Sequence, residues 1–487
     1  MSEATPPARR KLGTWKIVFF VIAATTPMAA MVGTVPVGFA LGTGPGMPAA
    51  YVLVGLVMMC FLSGYAAMSR KIVNTGALYS YIRAGLGRIL GGGAAYVAVI
   101  SYSAFTIGIV GAFGYFADLI LAIPGVSWPW YSAALLALMA VLGRRQLDLS
   151  VWMLGLLMSA EILILVIMDL GIFADKGTEA LPAVSFSPSV ALGTGLAAAL
   201  TFAFTSFIGV ESAPLYGEEA RNPRKSVARA GYWAVGIITV FYGLTSWLAV
   251  GGVGVDDVRS RAAAEGGQMI FSLNTQYTSE LLTGVMAMLM VTSFLATGVA
   301  LHNATSRYLF ALGREGLLPH WLGERHPKFG SPARASMVQS VIGVAVVAGF
   351  AVAGMHPYLN LGVSMISLAT IGIMVLMLGA SVAVLAFFLR RRADHHWWRT
   401  ITAPVLAIIG MGVAIVLILG HYSYLTGTDS AVINNLPYLV VVVAAAGMWR
   451  VAWLRAHRPH THAAMHPDAA PAAAELTAEA ELTTATG

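Results

Sequence analysis

The chain has 487 residues, of which 58% are hydrophobic and 10% charged, with a formal net charge of +7 and one cysteine, Cys60. A water-soluble chain of this length needs many more charged side chains to cover its surface, so the composition excludes a soluble globular protein and assigns the excess apolar surface to lipid. A single cysteine excludes an internal disulfide.

In chain order, residues 1–14 form a polar tail predicted to be disordered. Ile17 to Ser69 then holds 53 residues without Asp, Glu, Lys or Arg. A helix crosses a bilayer in roughly 20 apolar residues, so this run predicts spans 1 and 2, with a turn near Gly42-Thr43-Gly44-Pro45-Gly46. The first span is too long for a signal peptide, and more spans follow it. Charge-free runs over 89–117 and 119–143 predict spans 3 and 4. Residues 149–170 predict span 5, interrupted by Glu161 and Asp169. Runs over 180–210, 230–255 and 281–306 predict spans 6, 7 and 8. Residues 303–331 carry apolar residues at helical spacing and predict one or two interfacial helices. Ala335 to Leu389, another 55 charge-free residues, predicts spans 9 and 10 with a turn near Met355-His356-Pro357. Residues 400–428 and 430–449 complete twelve spans, an all-α integral membrane protein. Residues 456–487 form a second disordered tail; its histidines, His457, His460, His462 and His466, have no regular chelating spacing, and no metal or cofactor is predicted.

The positive-inside rule orients the bundle. With both termini in the cytoplasm, the inside segments hold 26 of the 29 Lys and Arg, and the outside loops only Lys176, Arg259 and Arg261. The net positive charge therefore reflects loops beside anionic lipid and calls for no nucleic-acid partner. Arg outnumbers Lys 23 to 6, which points to a bacterium and its plasma membrane. The sequon Asn303-Ala304-Thr305 falls on the inside and is expected to be unmodified.

Two spans read as broken. Span 1 carries Thr25-Thr26-Pro27 near its middle; span 6 carries Ile208-Gly209-Val210-Glu211. A repeat of five plus five helices would make them symmetry mates, and interrupted spans at matching positions mark a transporter's binding site. Unwinding frees N–H and C=O groups, which membrane depth tolerates only where a ligand, ion, water or protein group satisfies them. Each element taken alone also reads as a plain kink.

Two carboxylates sit well inside spans, at a cost of roughly 3 kcal/mol or more each for a charge at the bilayer centre. Glu211, at the span 6 break, is assigned gating or proton uptake; the competing role is a neutral group bonded to freed backbone. Glu161 is either a second proton site or a packing hydrogen bond. Asp118 and Asp169 are expected to be solvated at the outer ends of spans 3 and 5. The adjacent hydroxyls Thr292 and Ser293 in span 8 fit a Na⁺ site made with span 1 carbonyls, or interhelical packing. Phe204 and Phe207 either cover a solute or face lipid, and Tyr102 is placed at the pocket wall. No Walker A sequence is present, so ATP does not drive the protein by that route. The chemistry expected is carriage rather than bond making; a channel would need a continuous polar stripe, and an enzyme a catalytic pair or metal set.

The run Phe207-Ile208-Gly209-Val210-Glu211-Ser212-Ala213, continuing through Glu218-Glu219-Ala220-Arg221-Asn222-Pro223-Arg224-Lys225, resembles the span 6 signature of amino acid–polyamine–organocation permeases. Asn74-Thr75-Gly76-Ala77-Leu78-Tyr79-Ser80-Tyr81 and His302-Asn303-Ala304-Thr305-Ser306-Arg307 with Gly313-Arg314-Glu315-Gly316-Leu317-Leu318-Pro319 resemble that family's loops after spans 2 and 8. The resemblance covers about residues 15–455. It implies the LeuT-like five-plus-five inverted repeat, about 15–173 and 190–390, with discontinuous helices 1 and 6 and two extra helices over 400–454. It further implies secondary transport of an amino acid or amine by alternating access, coupled to H⁺ or Na⁺. By similarity, the substrate carboxylate would meet amides of Thr25, Thr26, Pro27, Met28, Ala29 and Ala30, and its ammonium the span 6 carbonyls from Phe204 through Thr205, Phe207, Ile208 and Gly209. Glu211 matches the family's span 6 glutamate. Thr205 replaces the tryptophan gate of arginine–agmatine antiporters, and Met158 and Ser159 stand near the span 5 lysine of some proton-coupled relatives.

Overall fold

The computed structural model describes residues 13–71, 78–145, 151–216, 223–391 and 396–460. Both expected tails, apart from residues at their inner ends, and parts of the motif runs at 74–77 and 218–222 lie outside the described residues.

Every described secondary element is helical. Span 1 is three pieces, α1 (Thr14–Ala24), α2 (Pro27–Gly33) and α3 (Val35–Leu41), and span 2 is α4 (Met47–Ser69). The short α5 (Leu78–Leu86) leads into span 3, α6 (Arg88–Leu121). Spans 4 and 5 are α7 (Trp128–Arg145) and α8 (Val151–Lys176). After the single turn α9 (Pro188–Ala191), span 6 is α10 (Leu196–Phe207) and a 3₁₀ segment (Val210–Tyr216), and span 7 is α11 (Pro223–Val253). The outer helices α12 (Val258–Glu265) and α13 (Met269–Tyr277) precede span 8, α14 (Glu280–Arg314). Spans 9 and 10 are α15 (Ala333–Val352) and α16 (Val363–Arg391), the latter entered through a π-helical turn at Pro357–Gly362. Span 11 is α17 (Ala403–Gly420); α18 (Tyr422–Thr426) and α19 (Ala431–Asn434) lead to span 12, α20 (Tyr438–His457). The turns expected near 42–46 and 355–357 fall between helices.

Among the described residues, eleven helices are long and apolar enough to cross a membrane. The twelfth expected span, α7, is 18 residues long, but Pro129, Arg144 and Arg145 dilute its apolar stretch. It still packs between α6, α14 and α15.

Burial separates the inner helices from the outer ones. Span 6 is 83% buried across its apolar window, whereas the last helix is 22% buried. The interior is built where α6 lies against α14 and α16, with α10 against α16 and α4. The extra helices α17 and α20 lean on this bundle from outside, α20 along α6. At that contact a Cβ on Gly447 would sit 2.5 Å from the Gly92 carbonyl oxygen, so only a missing side chain lets the two backbones meet.

One expectation fails. Residues 303–314 are not interfacial helix; they continue α14 in register. His302, Thr305, Ser306, Leu309 and Leu312 are buried, so the apolar spacing there packs a long span 8 against its neighbours rather than against headgroups. Only a 3₁₀ turn at His320–Gly323 follows.

On the face opposite the termini, Arg259 of α12 donates to the carbonyls of Ala40 at 3.3 Å and Gly42 at 2.8 Å. It thereby satisfies the carbonyls at the end of α3 that no later turn can reach. Arg259→Ala is expected to weaken folding by about 1–3 kcal/mol, the scale for leaving such acceptors unpaired. The check is a lowered melting temperature of the purified protein in detergent, with Arg259→Lys falling between the two.

Candidate functional site

Thr-Thr-Pro ends α1 for a local reason. Proline has no N–H and its ring collides with the carbonyl four residues back, so the helix cannot pass through Pro27. The last turn tightens instead: the Thr25 amide donates to Ile22 O at 3.1 Å and the Thr26 amide to Ala23 O at 3.2 Å. Thr26 sits in the left-handed region at φ 45°, a strained conformation for a β-branched residue. Pro27 then opens α2.

In span 6, α10 stops at Phe207, Ile208 is extended, and Gly209 takes φ 114°. A Cβ on Gly209 would lie 2.6 Å from the Ala24 carbonyl oxygen. The two breaks therefore touch, backbone to backbone, and glycine is required there twice over, for its φ and for the contact.

Two buried carboxylates close the breaks. Glu211, 7% exposed, accepts the Gly209 amide at 2.8 Å and the Tyr102 phenol at 2.9 Å. Its carbonyl accepts from the Tyr65 phenol at 3.4 Å. Glu211 thus caps the freed backbone of span 6 and ties it to spans 2 and 3. Glu161, 4% exposed, lies beside the Met28 amide and the Ser293 hydroxyl, bringing span 5 to the span 1 break and to span 8.

The expected substrate amides are partly spoken for. Thr26 donates to Ala23, Pro27 has no N–H, and Ala30 donates to Thr26 O at 3.0 Å. These bonds do not engage the Met28 amide, which faces Glu161, or the Ala29 amide. In span 6, Phe204 and Phe207 are buried and do not face lipid; Phe207 meets the Tyr242 ring edge-on at 6.1 Å. Thr205 pairs with Thr370 of span 10 at 2.7 Å, where the two hydroxyls connect helices at the depth of the break.

Two assignments change. Of the hydroxyl pair in span 8, only Ser293 reaches the break; Thr292 is half-exposed and bonds back to Leu289 O at 2.9 Å. Adjacent helical residues face different sides, so the pair cannot act together. Asp169 is not solvated: it is 7% exposed and accepts from Thr245 of span 7 at 2.6 Å. Span 5 runs on to Lys176, which places Asp169 inside the helix rather than at its end. Asp118, half-buried, accepts the Trp128 amide at 3.1 Å at the start of α7.

Apart from Tyr102, the tyrosines at the breaks are not marked by the sequence reading. Tyr242 donates to Thr25 at 3.3 Å, Tyr65 to Glu211 and Tyr358 to Gly33 O. The signal was present: a phenol buried within an apolar run must find an acceptor, and freed backbone carbonyls are acceptors. A second hydroxyl cluster, Thr34, Ser206 and Tyr51, joins the halves of spans 1 and 6 away from the termini to span 2 at 3.1 and 3.2 Å. Among the described residues, no group of three or more His, Cys, Asp or Glu is placed to hold a metal ion.

A family model described as amino acid permease matches residues 12–446. A methylthioribose transporter of Bacillus subtilis is 24% identical over 398 residues, 77% of this chain and 81% of that protein. A branched-chain amino acid permease of Lactococcus lactis is 26% identical, covering 69% and 75% of the two chains. A low-affinity putrescine importer of Escherichia coli is 24% identical, covering 62% and 67%. Among solved structures, a manganese transporter of Eremococcus coleocola shares the fold at a TM-score of 0.52 and 14% identity, over 93% of this chain and 96% of that one.

Gly209→Ala tests the contact between the breaks. The new methyl group meets the Ala24 carbonyl and the positive φ is lost to strain of about 1–3 kcal/mol. Solute uptake by reconstituted protein is expected to collapse, whereas Gly209→Ala protein that transports normally would show that the breaks do not need to touch.

Proposed function

The chain belongs to the amino acid permease family, and from that premise we propose a coupled carrier whose substrate binds across the paired breaks of spans 1 and 6. It is a secondary transporter of amino acids or amines. The finer reading is H⁺-coupled movement across a bacterial plasma membrane, with the face that bears both termini in the cytoplasm.

The observation that carries this reading is the sign of the buried charge. Glu161, Asp169 and Glu211 are buried acids inside the spans, and the buried base among the described residues is His302, which bonds to Ser336 at 2.8 Å away from the breaks. Charges at membrane depth must be matched or neutralised. A substrate ammonium and a coupling proton are the two cations that this site lacks and transport would supply. The relatives include carriers named for an amino acid class and for a diamine, both cationic at the amine. The Ala29 amide, at the positive end of α2, is positioned for an anionic group where the substrate has one.

A second reading, Na⁺ coupling, is favoured by one observation: the Glu161 carboxylate and Ser293 hydroxyl supply hard oxygen donors beside the broken span 1. Replacement of Na⁺ by choline separates the two.

In proteoliposomes, labelled amino acids and putrescine are expected to enter saturably, to show counterflow, and to be driven by an inward proton gradient in choline medium. Glu211→Gln is expected to abolish the pH dependence of uptake while the protein still folds. The fold is checked by ligand-induced thermal shift, which at a hundredfold excess over Kd is worth about 2.7 kcal/mol. Unchanged pH dependence in Glu211→Gln would remove Glu211 from coupling, and loss of uptake in choline would favour Na⁺.

A further inference from the structure

The Glu211 carboxylate does not end at the substrate site. Its partner Tyr102 stacks on Tyr308 of span 8, with ring centroids 5.2 Å apart and planes 19° from parallel. This stacking sets the two phenols side by side. The Tyr308 ring in turn neighbours the Tyr79 ring of α5, with centroids 6.3 Å apart. Tyr79 donates to Glu315 at 3.4 Å, and Arg83 pairs with the other oxygen of Glu315 at 3.5 Å. Glu315 follows the last residue of α14, on the face that bears the termini, and its side chain is 26% exposed. Polar side chains therefore lead from the broken span 6 to water on that face.

These groups gain little from simple packing logic. Each phenol lies among apolar residues of the bundle, where a leucine or phenylalanine would fill the space without needing a partner. Their placement in one file, between a carboxylate at the break and a carboxylate at the surface, is the arrangement that a hydroxyl relay needs. Resting on the proton-coupled reading above, we infer that Tyr102, Tyr308, Tyr79 and Glu315 form the route by which the proton on Glu211 leaves toward the terminal face.

The transfer balances. The proton on Glu211 passes to the Tyr102 oxygen as Tyr102 gives its own proton to Tyr308, and Tyr308 passes one toward Tyr79. Tyr79 gives its proton to Glu315, each phenol ends with one proton, and Glu315 releases the net proton to water. No oxidant or other reactant takes part.

The acceptor end is tuned by its neighbours. Burial raises the Glu315 carboxyl above the ordinary value, and Arg83 and the Tyr79 bond oppose that rise. A carboxyl held so takes a proton from the file and yields it to solvent as Arg83 favours the charged form. Other charged or titratable groups at this end, among the described residues, include Arg314 at the end of α14, Arg450 of α20, which donates to Gly316 O at 3.0 Å, and Tyr96 of α6, which donates to Leu317 O at 2.6 Å. Arg450 and Tyr96 are occupied by carbonyls, so Arg83 is the cation that acts on Glu315 through a direct ion pair.

The test uses the full chain in proteoliposomes with a pH-sensitive dye inside. Two quantities are read on the same vesicles: counterflow of labelled substrate, which needs no net proton movement, and proton flux driven by a substrate gradient. For Tyr308→Phe and Glu315→Gln, counterflow is expected to persist while substrate-driven proton flux falls at least roughly tenfold, the scale of losing a positioned proton-transfer group. Glu315→Asp, which keeps a carboxyl, is expected to restore most of the flux. Proton flux equal to that of the parent protein in both variants would overturn the route. So would joint loss of counterflow and proton flux in variants that still elute as a single folded species, since that marks a structural gate. Absence of substrate-driven proton flux in the parent protein would instead remove the proton-coupled reading on which the route stands.

Discussion

The contact between the Ala24 carbonyl and Gly209 organises the interior of this protein. Two helices that could each cross the membrane unbroken stop at the same depth and lean on each other. In hydrocarbon, each unsatisfied backbone group costs several kcal/mol, so neither break can exist without partners. The partners come from four directions: Glu211 from the broken helix itself, Glu161 from span 5, Tyr242 from span 7 and Tyr65 from span 2. Removing any helix of this ring would expose groups that the others cannot reach.

That arrangement divides the moving parts. The outer halves of spans 1 and 6 are joined through Thr34, Ser206 and Tyr51, and Arg259 holds the end of α3. The inner half of span 1, α1, packs instead against the 3₁₀ segment of span 6 and against α11. Thus the outer halves form one cluster and the inner halves another, with the left-handed Thr26 and the extended Ile208 between them. Hinges of this kind are element ends that absorb φ/ψ change. A carrier that exposes one site alternately to two faces needs such joints at the depth of its site.

Much of this was legible in the residues. The charge-free runs located the helices because charge is costly in lipid, and Thr-Thr-Pro and Ile-Gly-Val-Glu located both breaks because proline and glycine have unambiguous backbone consequences. Glu161 and Glu211 stood out for the same reason that charges are rare in spans. What could not be read was facing. Thr292 and Ser293 are indistinguishable in sequence, yet one meets Glu161 and the other its own helix. Asp169 looked solvated because a run of apolar residues does not say where a helix ends, and span 5 continues past it. The helical pattern at 303–314 was read correctly as helix and wrongly as interfacial, since periodicity alone cannot tell lipid headgroups from a protein neighbour.

The tyrosines mark the deeper limit. A phenol in an apolar run signals that an acceptor is near, but the acceptors here are backbone carbonyls and carboxylates from spans far away in sequence. Tyr65 reaches Glu211 across 146 positions and Tyr242 reaches Thr25 across 217. Those bonds form only once the breaks have freed the carbonyls, and the breaks survive only because the phenols and carboxylates are there. Unwound backbone and buried polar side chains are therefore one feature of the fold. Each half of it would be a defect alone, and together they leave a polar centre inside an apolar bundle.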